Sequence, residues 1–202
     1  DGDAVQVRLE NGEAIGAAQV VIGTNGFIID RDANLEGKLR SYWTFVAAWD
    51  DPGENTPNAY YFDPRAHYWA RQDGKLIVGG EDVPVAGLNF RAPPDAEGSA
   101  AKLARWCGST FPRLAGRKPR ALHYSVFGET RDNLPILGRF SPRSRVWYVV
   151  GDNGDGQSTL SCIAWLLPRA MGLVRASADE EGLIAFLSPG HDSLRETPRA
   201  SA

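Results

Sequence analysis

Residues 146–167, VWYVVGDNGDGQSTLSCIAWLL, constrain the fold more than any other stretch of the chain. An apolar run, Val146 to Val150, meets Gly151, Gly154 and Gly156, and apolar residues at helical spacing follow. This order predicts a strand, a tight glycine turn and a helix. Glycine lets the backbone approach a ligand closely. The open amides at the start of the helix carry partial positive charge, which suits a phosphate, a carboxylate or a delocalised anion. The same glycines would also serve a plain strand–helix turn with no ligand. The spacing is G-x-x-G-x-G, the reverse of the dinucleotide fingerprint G-x-G-x-x-G. No forward fingerprint occurs in the 202 residues. A calcium loop does not fit either, because it would put Gly151 at the first ligand position and Cys162 at the bidentate one.

Elsewhere a period of two predominates. Val5, Val7 and Leu9 alternate with Gln6 and Arg8 before an Asn11-Gly12 hairpin turn. Val20 to Ile22 is apolar on both faces, which predicts a central strand, broken at Thr24-Asn25-Gly26. Trp43, Phe45, Ala47 and Trp49 share one face of a strand over 41–49. AYYFD and HYWAR follow, and Gln72-Asp73-Gly74-Lys75 turns the second of them into LIVGG. Together they predict an antiparallel sheet rich in Tyr and Trp. Residues 93–111 predict a helix with Leu103, Trp106, Cys107 and Thr110 on one side. A strand is expected over 120–127 and a loop over 129–138. After the glycine turn, Leu160, Ile163, Ala164, Leu167, Met171 and Val174 fall on one helical face, with a kink expected at Pro168. Ser177 and Glu180 form a capping box for a last helix. Residues 188–202 lack apolar periodicity and read as a mobile tail.

Composition narrows the function classes. A net charge of -3 gives no electrostatic case for nucleic acid or an anionic membrane. No apolar run approaches the roughly twenty residues of a membrane helix, and no secretory leader is evident. Cys107 and Cys162 form no C-x-x-C pair and are expected to be reduced and buried, as in the cytoplasm. His67, His123 and His191 show no metal-ligand spacing, and the last should be solvated. No G-x-S-x-G elbow supports a hydrolase. Trp43, Tyr60, Tyr61, Tyr68 and Trp69 suit a core or a pocket, and no basic stripe accompanies them for nucleic-acid stacking. The opening DGDAVQVRLENGE starts in mid-strand, as in a piece of a longer polypeptide.

Three segments, in order, resemble the FAD-dependent amine and amino-acid oxidoreductases, the superfamily of D-amino-acid oxidase, glycine oxidase and sarcosine oxidase. AAQVVIGTNGF (17–27) resembles the late strand of that family. YYFDPRAHYWARQDGKLIVGGED (60–82) is similar to its substrate-domain hairpin. ETRDNLPILGRF (129–140) with VWYVVGDNGDGQSTL (146–160) resembles its closing loop, strand and glycine turn.

The resemblance implies an α/β (α+β) fold, a partial FAD-binding Rossmann-like domain with an inserted antiparallel-sheet substrate domain. Late strands of the FAD-binding domain would occupy 1–30, the substrate domain 31–130, the return to the FAD-binding domain 131–187, and a flexible tail 188–202. FAD would be met by Thr24, Gly26, Asp132, Gly151, Gly154, Gly156 and Gln157, with Thr130, Pro135 and Gly138 shaping the preceding loop. In this plan the reversed glycine turn faces the pyrimidine edge of the flavin rather than the pyrophosphate. Tyr61 and Tyr68 would line the pocket for a small-molecule amine or amino acid, oxidised by hydride transfer to FAD. The resemblance implies no metal and identifies no catalytic residue.

Two departures stand out. Asp155 replaces a His common in the family, and its carboxylate would oppose flavin reduction unless it faces solvent or pairs with a cation such as Arg131. Without the forward fingerprint there is no site for the ADP half of FAD. The chain is therefore expected to be inactive by itself and to need the N-terminal part of its parent. The alternative is a non-catalytic ligand-binding or interaction domain of the same fold.

Overall fold

The computed structural model describes residues 4–28, 33–53, 59–62, 67–87 and 89–194. In chain order the strands are β1 (Val5–Arg8), β2 (Ala14–Ala17), β3 (Val20–Ile22), β4 (Leu39–Asp50), β5 (Ala59–Phe62), β6 (His67–Gln72) and β7 (Lys75–Pro84). They continue with β8 (Ala121–Thr130), β9 (Ile136–Arg139) and β10 (Val146–Val150), and the helices are α1 (Ala96–Thr110), α2 (Gly156–Ala170) and α3 (Ala178–Phe186). The chain divides into two compact units, one of Asp1–Ser41 with Phe127–Ala202 and one of Tyr42–Val126. The expected inserted domain ran over 31–130; the division instead falls inside β4 and β8. Leu39 explains one of these borders, since its buried side chain belongs to a first-unit core with Ile28, Ile136, Tyr148 and Val150.

In the first unit β1 and β2 form the antiparallel hairpin expected around Asn11-Gly12, with Gly12 at φ 89. A three-stranded sheet runs β3-β10-β9, with β3 parallel and β9 antiparallel to β10. β3 is thus an edge strand among the described residues, not the central strand its apolar run predicted, and Val21 is 41% exposed. The loop expected over 129–138 is also corrected. Glu129 and Thr130 finish β8, and residues 136–139 pair with β10 because Ile136, Leu137 and Gly138 are buried there.

Helix α2 covers the sheet through Ile163 and Leu166, which pack with Leu137, Trp147 and Leu187. The buried seam lies one side of the face read from sequence, so Leu160, Ala164 and Val174 are exposed. Cys162 is exposed for the same reason, contrary to expectation, whereas Cys107 is buried. The helix passes Pro168 and ends at Ala170, before Met171 and Val174. α3 begins with the expected capping box, Glu180 N–H donating to Ser177 Oγ at 3.3 Å and Ser177 N–H to Glu180 Oε2 at 2.8 Å. Residues 188–194, expected to be part of a mobile tail, are held in place. The Leu194 side chain is 4% exposed in the first-unit core, and Lys38 Nζ donates to the Pro189 carbonyl at 2.7 Å. Apolar burial of one leucine, unsignalled by periodicity, thereby holds residues 188–194 in place.

Glu180 also ties α3 to α2: Trp165 Nε1 donates to it at 2.9 Å and Arg169 Nε approaches to 2.6 Å. The Ser177 amide, and after it the Trp165 indole, hold its carboxyl below the usual glutamate range. In the second unit Lys75 and then Arg120 lower Asp50, and the Gly53 amide leads the lowering of Asp51. A carboxylate lowered on folding adds stability above its unfolded pKa, and that stability is lost as pH falls toward the folded value. Thermal melts from neutral pH down through the ordinary carboxylate range should therefore show declining stability. Solvent still reaches all three carboxylates, which keeps the effect small, and Glu180→Gln should flatten the decline; an unchanged pH profile in that variant would refute the assignment.

The second unit is built on the sheet β5-β6-β7-β4-β8. Along β4 burial alternates strictly, and Trp43, Phe45, Ala47 and Trp49 form the core with Trp69, Leu76, Val78 and Val126. α1 closes this face through Leu103 and Cys107, and Asp95 caps it by accepting from Gly98 N–H at 2.8 Å. Asp73 at φ 50 and Gly74 at φ 68 make the two-residue turn between β6 and β7, matching the right-handed twist of the strands. A bulge interrupts β7 opposite Thr44, where Glu81 and Asp82 face one residue and Glu81 takes φ 59. The bulge carries the Glu81 carboxylate to His67 Nε2 at 2.9 Å, and the imidazole stacks on Trp106 at 4.4 Å. No helix is long and apolar enough to cross a membrane among the described residues.

Candidate functional site

The glycine turn after β10 is shaped by two asparagines. Asn25, at φ 49, accepts through Oδ1 from the amides of Gly128 and Gly151, each at 3.1 Å. Asn153, at φ 54, accepts from Thr130 N–H at 2.7 Å and donates through Nδ2 to the Gly151 carbonyl at 2.7 Å. Its own amide donates to the Gly128 carbonyl at 3.1 Å. The Thr130 hydroxyl, 2.8 Å from the Leu134 carbonyl and 3.0 Å from Asn153 Oδ1, donates to one of them. Asparagine is the side chain best able to take a left-handed backbone and bridge neighbouring amides at once. These contacts join the end of β3, the end of β8 and the turn before α2. Two of the three segments that carry the family resemblance, 17–27 and 129–140 with 146–160, therefore meet at one place.

The expected cofactor residues fall on this junction in different ways. Gly26 is buried and its carbonyl accepts from Ser41 Oγ at 2.7 Å, while Thr24 is exposed and accepts from Phe27 N–H at 3.1 Å. Gly151 is buried at φ 76; its amide is engaged by Asn25, and a Cβ there would collide with Thr130 Cγ2. Gly154, at φ 79, is exposed with open space where a Cβ would stand. Gly156 and Gln157 start α2, whose N-cap Asp155 makes no side-chain hydrogen bond to the first-turn amides. α1 and α3 are both capped by side chains, so the contrast is local to this turn. Asp132 lies in the loop expected for it, where Oδ1 accepts from Leu134 N–H at 3.1 Å and Oδ2 from the Ser193 hydroxyl. Pro135 and Gly138 are buried beside it.

Asp155 is exposed, which meets the solvent condition set by the sequence, and Arg131 donates instead to the Leu194 carbonyl at 3.3 Å. The carboxylate that enters the turn is Asp152, half-buried, whose Oδ1 is buried with no partner among the described residues. Of the histidines, His123 is exposed, and His191 is not solvated as expected: its Nδ1 lies 2.9 Å from Ser193 Oγ, and Phe186 packs edge-on at 4.0 Å. Among the described residues no group of His, Cys, Asp and Glu could hold a metal ion.

The two pocket candidates lie in the second unit. Tyr68 is half-buried on β6, and its ring occupies the space over Gly79 of β7 where any Cβ would collide. Gly80 leaves room for His67 in the same way, at 2.7 Å from a built Cβ to Cδ2. The Gly-Gly pair is therefore a consequence of the two bulky residues paired across from it. Tyr61 belongs to β5, and its side chain lies outside the described residues, as does that of Tyr60.

Against known proteins, the family model described as FAD dependent oxidoreductase matches residues 1–168. No curated protein matches the chain. Glycine oxidase from Geobacillus kaustophilus superposes with a TM-score of 0.68 at 16% identity, covering 88% of this chain and 47% of its own. Iminodiacetate oxidase from Chelativorans sp. BNC1 gives 0.68 at 17%, covering 91% and 49%. Fructosyl peptide oxidase from E. terrenum gives 0.67 at 15%, covering 98% and 51%. These likenesses show the fold, mixed α/β with antiparallel and mixed sheets. The chain belongs to the FAD dependent oxidoreductase family, whose cofactor is FAD. It spans about half the length of the solved structures it matches.

The junction fits one edge of such a cofactor. An uncapped helix start offers amide donors to negative charge, Gly154 leaves its approach open, and Asp152 Oδ1 awaits an N–H donor. The ring edge of a flavin presents both carbonyl acceptors and an N–H. The residues that would hold it are Gly154, Gly156, Gln157 and Asp152, with Asn25 and Asn153 positioning them.

Proposed function

We propose that this chain closes the flavin site and carries the substrate-facing sheet of an enzyme that oxidises an amine or amino acid. A bound FAD would supply the two-electron acceptor for oxidation at the carbon bearing nitrogen, and the residues of this chain that would hold its edge are those of the glycine turn. This chain's part is to hold the flavin edge with fixed amides that need not reorganise as negative charge develops there. Asn25 and Asn153 keep the turn rigid, and the exposed Asp155 keeps its charge in solvent. No general base is assigned, because an unprotonated amine needs none. The ADP half of the cofactor and the cytoplasmic N-terminal part of the parent belong to the same proposal. So does inactivity of the 202 residues alone, which contain no forward fingerprint.

The observation that carries this reading is the meeting of two of the three family segments, 17–27 and 129–140 with 146–160, at one uncapped helix start. The test is anaerobic mixing of the full-length holoprotein with a panel of amines, amino acids and 2-hydroxy acids, following the loss of the long-wavelength flavin band. Bleaching by an amine or amino acid, with a carbonyl product and released amine in equal amount, is the expected result. Bleaching by hydroxy acids alone would contradict the substrate class. A folded full-length protein that holds no flavin would favour the non-catalytic alternative.

A further inference from the structure

Asp152 differs from the other two acidic side chains around the glycine turn. Asp132 accepts from Leu134 N–H and from the Ser193 hydroxyl, and Asp155 lies in solvent. Asp152 is half-buried, and its Oδ1 is sealed from solvent with no donor among the described residues. A carboxylate oxygen removed from water and left unmet is costly, so its position calls for an explanation.

The local fold fixes this carboxylate. Gly151 before it and Asn153 after it both take a left-handed backbone, at φ 76 and φ 54. Asn153 Nδ2 donates across it to the Gly151 carbonyl at 2.7 Å, and Asp155 N–H closes on the Asp152 carbonyl at 2.8 Å. Gly156, the first residue of α2, is not among the left-handed glycines, so its backbone does not demand glycine. A Cβ there, however, would fall 2.9 Å from Asp152 Oδ2 and 3.4 Å from Asp152 Cβ. The third glycine of the turn makes room for a carboxylate at the helix start.

The open amides of a helix start are worth about half a positive charge, and Asp152 brings a full negative charge to the same spot. Asp155 adds a second, but in solvent, where water and salt screen it. A partly buried charge keeps more of its reach. We propose that Asp152 lowers the electron affinity of the flavin held at this turn, an inference that rests on the flavin reading above. Reduction brings two electrons and one proton to a neutral ring and leaves one negative charge, until a second proton comes from water. The amides of α2 favour that charge and Asp152 opposes it. By linkage, Asp152 weakens the binding of the reduced flavin relative to the oxidised one by the same factor.

The test uses the full-length holoprotein with Asp152→Asn, Asp152→Ser, Asp152→Glu and Asp155→Asn. Thermal melts and the visible spectrum establish that each is folded and carries flavin. Each is equilibrated without oxygen against a dye of known potential, and the ratio of reduced to oxidised flavin is read. Asp152→Asn and Asp152→Ser, both neutral, should raise that ratio about tenfold or more, which is about 30 mV for a two-electron couple. Asp152→Glu keeps the charge and should stay near the wild type. Asp155→Asn should move the ratio less, and its effect should vanish in roughly 1 M salt. A ratio that both neutral variants leave unchanged, or that Asp152→Glu shifts as far as they do, overturns the proposal. Bleaching by an amine together with an unchanged ratio would sink this inference alone. A folded full-length protein that takes up no FAD would remove it together with the function proposed above.

Discussion

Replacing Gly151 by alanine should destabilise the first unit by about 2–4 kcal/mol, with the loss appearing as a lower urea midpoint. Two costs act together. The residue sits at φ 76, where a Cβ meets the following carbonyl and costs about 1–2 kcal/mol. The new methyl would also collide with Thr130 Cγ2. Thr130 cannot turn aside cheaply, because it is 3% exposed and its hydroxyl is held between Leu134 and Asn153. Gly154→Ala separates the costs. It has a similar φ of 79 and open space around it, so only the backbone strain of about 1–2 kcal/mol should remain. Equal losses in the two variants would mean that the Thr130 contact does not constrain the turn.

Asn25→Gly should cost about 2–4 kcal/mol, because one side-chain oxygen serves the amides of two buried glycines, and each donor left unmet costs about 1–3 kcal/mol. Glycine is the right replacement to test. It removes any strain at φ 49, so the loss reports the acceptor alone. Asn25→Asp keeps the acceptor and should recover most of the stability. Hydrogen exchange gives the residue-level readout: the Gly128 and Gly151 amides should exchange faster in Asn25→Gly and stay protected in Asn25→Asp. Unchanged protection at both amides in the glycine variant would show that Asn25 does not brace the junction.

What could be read from the residues follows how local each feature is. The alternation of Trp43, Phe45, Ala47 and Trp49, the turn at Asp73-Gly74, and the capping box of Ser177 and Glu180 each depend on neighbours a few positions apart, and each stands in the structure. The glycine turn is likewise local. The features missed depend on distant partners. Asn25 and Gly151 are 126 positions apart, and nothing in TNG alone says that its side chain will brace a turn there. The Asn-Gly pairs at 25–26 and 153–154 were the available signal, since asparagine tolerates a left-handed backbone. β9 escaped notice because its burial comes from β10 and Leu187, not from its own pattern. Residues 188–194 were misread because one buried leucine, Leu194, has no periodicity.

The central claim is that this chain completes a flavin site, and the most direct measurement is the visible absorption spectrum of the natural full-length protein, taken before and after denaturation. The account predicts the two bands of an oxidised flavin, with the colour passing into the supernatant or staying with the pellet according to whether the link is non-covalent or covalent. A well-folded, colourless protein that takes up no added FAD would contradict it.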